Sequence, residues 1–370
     1  GNWTVNFTTN GTANLTITPI NGTTYGVDLE FLELNCGATK LNPVFNNISV
    51  FYQDYNCNEV GSHIAKVTTA ADHILKFEFG NDVAYAYNAV TNVTACGVIS
   101  TSGDYALNVS LSTAGAECIN ITASDVQFDC AGFTINYNQT GIRVNTNSGA
   151  TSIQNVTIAN CVIDGNLVGI AAANTSQLNI TNNTIRTHSS TNSGSQAIGI
   201  LLRVNSNYSI ITRNDITTGG GGLANHHGIQ MTSCLNINIT NNNISTSDNS
   251  TASPSQNLGI DINSGTNNSI ILFNNISTNG SGTNNDGITL EIRATGNNIS
   301  KNIVTSHGRS LNDGILFINS AQRNTVEYNN ITSNGSGISH GIMIESASDN
   351  NVTGNNITSV SDQSRGIEVN

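Results

Sequence analysis

From residue 141 onward, apolar positions recur in a fixed frame. Gly-Ile pairs stand at Gly141, Gly169, Gly199, Gly228, Gly259, Gly287, Gly314, Gly341 and Gly366, about 25–31 residues apart, the range in which self-similarity signals a solenoid. Each isoleucine is followed two places on by another apolar residue: Val144, Ala172, Leu202, Met231, Ile262, Leu290, Phe317, Ile344 and Val369. A step of two puts both side chains on one face of a strand, whereas a helix would repeat at three and four.

Each unit carries a second strand. Its inward column reads Ile158, Ile180, Ile211, Ile239, Ile271, Ile299, Val326 and Val352. Three residues later come Cys161, then Asn183, Asn214, Asn242, Asn274, Asn302, Asn329 and Asn355. An aliphatic two further on closes the turn: Ile163, Ile185, Ile216, Ile244, Ile276, Val304, Ile331 and Ile357. A lone turn asparagine is ordinary. A column of them predicts a ladder, because stacked coils set equivalent amides about 4.8 Å apart, each able to donate and accept. Nine Gly-Ile levels at that spacing predict a rod about 40 Å long. The segments between Asn-x-Ile and the next Gly-Ile vary in length and are read as loops leaving one corner, a ridge on which solenoids often bind.

Residues 1–94 lack the repeat. Short alternating runs broken at Asn10-Gly11 and Asn21-Gly22 predict a small antiparallel β domain, sandwich-like. Residues 95–370 are the solenoid, with an N-terminal cap at about 96–117 that includes Gly103–Leu111. Seven cysteines show no metal-ligand spacing. Disulfides are expected, with Cys36–Cys57 and either Cys96–Cys118 or Cys118–Cys130 as pairings. Cys161 reads as a small core residue.

The charge is −12, with Lys+Arg 12, Asp+Glu 24 and only 10% charged residues. No basic run offers a nucleic-acid surface, and no apolar stretch has the length of a membrane span. Asn-x-Ser/Thr acceptor motifs are dense. They include Asn2, Asn6, Asn14, Asn47, Asn120, Asn155, Asn179, Asn238, Asn243, Asn275, Asn298, Asn330, Asn351 and Asn356. Several fall on outward strand positions, where glycans would leave the core alone.

The Gly-Ile column, the Asn column and the entry segment Cys118–Ile135 (CINITASDVQFDCAGFTI) resemble the right-handed parallel β-helix of the pectate-lyase-like superfamily. More closely they resemble its NosD-type repeats, common in secreted and archaeal surface proteins. The resemblance implies an all-β fold and leaves function open, since that superfamily holds enzymes, adhesins and structural proteins. One column resembles the polygalacturonase family: Asp286, Asp313, His340 and Arg365 each precede a Gly-Ile pair, in the segments NNDG, NDG, SHG and SRG. Two carboxylates, an imidazole and a guanidinium could hydrolyse a glycosidic bond. The same segments are also plain turn chemistry. Asp261, Glu291 and Asp286 are a conceivable calcium set without the calcium-binding repeat. His226-His227 reads as an exposed loop tip.

The expectation is a non-enzymatic, N-glycosylated extracellular rod of a filament, sheath or surface layer, or an adhesin. It would need no cofactor and would assemble head-to-tail through its last coil and the next copy's N-terminal domain. The alternative is a glycoside hydrolase acting through Asp286, Asp313, His340 and Arg365.

Overall fold

In the computed structural model, residues 90–145, 152–189, 196–220, 226–248, 256–361 and 363–370 are described, with five strands in the first 89 residues. The chain divides into two units, Gly1–Tyr87 and Asn88–Asn370. In the first, Thr12–Ile17 pairs antiparallel with His73–Glu78, which also pairs with Asn42–Phe45; Leu29–Phe31 pairs antiparallel with Gly61–His63. Cys36, Cys57, Asn2, Asn6 and Asn47 lie outside the described residues, as does the side chain of Asn14.

The second unit is a right-handed parallel β-helix with three sheets of 11, 11 and 10 strands and no helix among its described residues. One coil illustrates all. Asn257–Asn263 lies in the first sheet, Ile270–Leu272 in the second and Asn275–Asn279 in the third, and the chain then returns to Ile288–Leu290 directly above its start. The Gly-Ile strands form the first sheet and the isoleucine column of the second strand forms the second.

The third sheet was not anticipated. It runs through segments read as loops: Asp215–Gly220, Asn243–Asp248, Asn275–Asn279, Ile303–Gly308 and Asn330–Gly335. Its first inward positions are the expected aliphatics. The next are small hydroxyls: Thr187, Thr218, Thr246, Thr278, Ser306 and Ser333, none more than 1% exposed. In the later coils these cap the carbonyl of the following corner. Thr278 Oγ1 donates to Asn285 O at 2.8 Å, Ser306 Oγ to Asn312 O at 2.9 Å and Ser333 Oγ to Ser339 O at 3.2 Å.

The Gly-Ile glycines from Gly141 to Gly341 face the third sheet at close range. A Cβ on Gly259 would meet Ile276 Cγ2 and lie 2.5 Å from the Gly287 carbonyl oxygen, and the same clash repeats from Gly169 to Gly341. The glycine is required by this approach of backbone to side chain.

The corner from second to third sheet repeats one device. The residue before the ladder asparagine is left-handed at every level, including Arg213, Phe273, Lys301 and Tyr328 with φ of 54–57°. The asparagine then turns inward. Asn183, Asn214, Asn242, Asn274, Asn302, Asn329 and Asn355 form an unbroken ladder, each Nδ2 reaching the next Oδ1 at 2.9–3.0 Å. Each Oδ1 also accepts the backbone N–H one coil below, beginning with Cys161 N at 2.9 Å.

Two expectations are corrected at the entry. Residues 96–117 do not form a separate cap. Gly97–Ile99, Gly103–Leu107 and Leu111–Ser112 pair parallel with the coil above them, so they make a coil themselves. The disulfides are Cys96–Cys118 and Cys130–Cys161. The alternative Cys118–Cys130 is excluded, because stacking aligns Cys130 with Cys161 one coil up, and Cys161 is a bridge partner as well as the foot of the ladder. Cys130–Cys161 closes a separation of 31 residues. A double Cys130→Ser, Cys161→Ser variant should lose about 3–4 kcal/mol in urea unfolding. Cys234 is a buried free thiol whose pKa is pushed up to about 11 by burial.

Candidate functional site

The outward face of the first sheet carries the titratable groups. Gly-Ile strands bulge at the glycine, so the residue before it points outward, as does the residue two after it. Ile198 and Leu201 accordingly pack together on that face, apart from the main core. By the same register, Asp286, Asp313, His340 and Arg365 stack in one outward column, beside a second that runs Gln230, Asp261, Thr289, Leu316, Met343 and Glu368.

The four polygalacturonase-like candidates therefore lie one above another. Their hydrogen bonds define what they do there. Asp313 N–H donates to Asp286 Oδ1 at 2.8 Å, His340 N–H to Asp313 Oδ1 at 2.6 Å and Arg365 N–H to His340 Nδ1 at 3.1 Å. Each acceptor caps the backbone of the next coil. Arg365 is the exposed end of the column and pairs with Glu368.

Burial shapes the charge state of this column. The Asp286 carboxyl is held well above the usual range, first by burial and then by the neighbouring Asp313 charge. Asp313 is pushed up to about 6 by burial, against the opposing His340 N–H. His340 is lowered, again mainly by burial. Two adjacent carboxylates of this kind resist being ionised together.

Asp261 lies one column across and is 2% exposed. Burial pushes its carboxyl up to about 7, partly opposed by the Gln230 amide, which donates at 2.9 Å. The folded state thus holds this proton to higher pH than the unfolded chain does, so stability is full below about pH 4 and falls as pH rises towards about 7. Asp261→Asn should raise the unfolding free energy measured in urea at about pH 8, by on the order of 4 kcal/mol at most, and leave it unchanged near pH 4.

Glu291 and Glu345 share a column with Ile318 between them. Burial raises the Glu291 carboxyl, and Asn263 Nδ2 donates to it at 3.3 Å. Among the described residues no group of three His, Cys, Asp or Glu side chains could hold a metal ion, so Asp261, Glu291 and Asp286 do not converge as a calcium set.

His226 and His227 are not a loop tip. They lie in the strand His226–Thr232 and are 0% and 3% exposed. His226 Nδ1 accepts the Ala197 N–H at 3.2 Å. Burial lowers His227 to about 4.

Sequence reasoning also missed two further ladders. At the corner entering the first sheet, Asn257 Nδ2 donates to Asn285 Oδ1 at 2.5 Å, and Asn285 Nδ2 to Asn312 Oδ1 at 2.8 Å. Ser339 and Ser364 continue that column. At the corner leaving it, Asn297 donates to Asn324 and Asn324 to Asn350, at 3.0 and 3.1 Å. The signal was present in the Asn-Asp-Gly segments. In Asn285-Asp286-Gly287 the asparagine turns into the ladder, the aspartate caps from outside and the glycine permits the close approach.

Among the described residues no helix is long and apolar enough to cross a membrane. The two disulfides point to an oxidising, extracellular-type compartment. No family model matches the chain, and no curated protein matches it. Solved structures share the β-helix fold at low identity. A periplasmic alginate epimerase double mutant is 16% identical with a TM-score of 0.46, covering 74% of this chain and 70% of its own. DFA-IIIase from Arthrobacter chlorophenolicus A6 is 13% identical with a TM-score of 0.43, and the match covers 69% of this chain and 61% of that enzyme. The A-module of an Azotobacter vinelandii mannuronan C-5 epimerase is 13% identical with a TM-score of 0.32, over 74% of this chain and 89% of its own. At these values the likeness carries no argument of its own, and the parallel β-helix fold of Asn88–Asn370 rests on its three stacked parallel sheets.

Proposed function

We propose that this chain is a structural, N-glycosylated rod of an extracellular assembly: a filament, sheath or surface layer in which copies associate with one another. The supporting observation is the use made of the Asp286–Asp313–His340–Arg365 column. Its acceptors serve the backbone of the next coil, as the three internal ladders do. Side chains that resemble a catalytic set are here part of the vertical bonding of the rod. The paucity of charge and the density of glycan acceptor motifs agree with an extracellular surface. Electron microscopy of the natively purified protein tests this reading. Regular filaments or sheets with the rod as repeating subunit are expected, and dispersed single rods at all concentrations would overturn it.

A second reading rests on one observation. Asp286 and Asp313 are neighbouring carboxyls raised by burial, and perturbed carboxyls are enriched at catalytic sites. A polysaccharide-cleaving enzyme would use one as acid and the other as base. Asp313→Asn then abolishes cleavage of an acidic polysaccharide and leaves the fold intact. Absence of cleavage by the unaltered protein removes this alternative.

A further inference from the structure

Acceptor asparagines occupy two outward columns, and the structure distinguishes them. On the second sheet the column reads Asn179, Ile210, Asn238, Ile270, Asn298, Thr325 and Asn351. In this column an acceptor therefore stands at every second coil; the members between, Ile210, Ile270 and Thr325, are not acceptors, and the motifs of those coils lie outside the column, at Asn207, Asn267, Asn275 and Asn330. On the third sheet the column reads Asp215, Asn243, Asn275, Ile303, Asn330 and Asn356, with acceptor motifs on adjacent coils.

The side-chain amides differ in the same way. On the third sheet the nitrogen is engaged between coils. Asn243 Nδ2 donates to Asp215 Oδ1 and Asn275 Nδ2 to Asn243 Oδ1, both at 2.9 Å; Asn356 Nδ2 donates to Asn330 Oδ1 at 3.0 Å. On the second sheet, the Oδ1 atoms of Asn179 and Asn298 are buried without a hydrogen-bond partner, and no side-chain bond between coils engages either amide. Asn238 and Asn351 are exposed.

We infer that the second sheet is the glycan-bearing face of the rod, modified at Asn179, Asn238, Asn298 and Asn351, whereas Asn243, Asn275 and Asn356 stay unmodified as inter-coil bonds. An N-linked sugar is attached at Nδ2, so it needs that atom free. It also needs lateral room. Acceptors on alternate coils are about 9.6 Å apart, while those on adjacent coils stand at about 4.8 Å, close to the width of one sugar ring. The alternation further accounts for two exposed isoleucines. Ile210 and Ile270 are each 41% exposed and lie between glycan sites, where the apolar faces of flanking sugars would cover them.

This inference rests on the glycoprotein reading, and one experiment separates the two. The full chain, purified from the organism that makes it, is digested and its intact glycopeptides are mapped by mass spectrometry. Glycan on Asn179, Asn238, Asn298 and Asn351 with bare Asn243, Asn275 and Asn356 is the expected result. Glycan on the third-sheet residues at comparable occupancy overturns the partition and leaves the glycoprotein reading standing. No N-glycan anywhere overturns both. As a second measurement, Asn238→Gln should lose one glycan mass at an unchanged unfolding midpoint. Asn275→Gln should lose no mass, and a loss there would sink the partition.

Discussion

Asn274→Ala should destabilise the rod by about 3–5 kcal/mol in urea unfolding, among the largest effects of any single polar substitution. The Asn274 amide is a junction. Its Nδ2 donates to Ile239 O at 2.8 Å, Leu272 O at 3.2 Å and Asn302 Oδ1 at 3.0 Å. Its Oδ1 accepts both the N–H and the Nδ2 of Asn242 at 3.0 Å. Alanine leaves a backbone N–H and several oxygens unpaired in a site 1% exposed. Each orphaned buried group costs about 1–3 kcal/mol, and water cannot enter to replace the partner. The adjacent residue is the control. Asn275 is exposed and its side chain makes one inter-coil bond, to Asn243 Oδ1, so Asn275→Ala should cost less than about 1 kcal/mol. If the two variants unfold at the same urea concentration, the ladder is not what holds that corner.

Gly259→Ala should cost about 3 kcal/mol or more, for the opposite reason: an added atom with nowhere to go. The new methyl would meet Ile276 Cγ2 and the Gly287 carbonyl at once. The isoleucine belongs to the third-sheet inward column and the carbonyl to the coil above, so neither moves without disturbing its own sheet. Gly366→Ala is the matched control, because there the nearest atom, Ile357 Cγ2, is 3.9 Å from the new Cβ. Equal unfolding midpoints for the two variants would remove the packing explanation of the Gly-Ile repeat.

Two of the three sheets could be read from the chain alone, because their inward positions are aliphatic and step by two. The third could not. After Ile216, Ile244 and Ile276 the inward residue is threonine, and after Val304 and Ile331 it is serine, so the hydrophobic alternation stops after one member. These hydroxyls are buried because a backbone carbonyl waits for them at the next corner in the later coils, a partner no one-dimensional pattern displays. The asparagine column was visible because its members are identical. The ladder through His226, Asn257, Asn285, Asn312, Ser339 and Ser364 was hidden because three residue types share it. The Asp286 column was recognised by its likeness to a catalytic motif. Its hydrogen bonds to the backbone one coil on became evident only once the coils were stacked.

Because every coil ends on the same bonds with which the next begins, the rod carries no internal mark of how many coils it should have. Joining the stretch before Gly259 to the stretch from Gly287 would return Ile229 to a partner of the kind it already has. Whole coils could therefore be gained or lost by recombination between repeats, at little cost beyond the buried area of one level. Length in such a protein is free to vary between lineages while sequence, register and cross-section stay fixed.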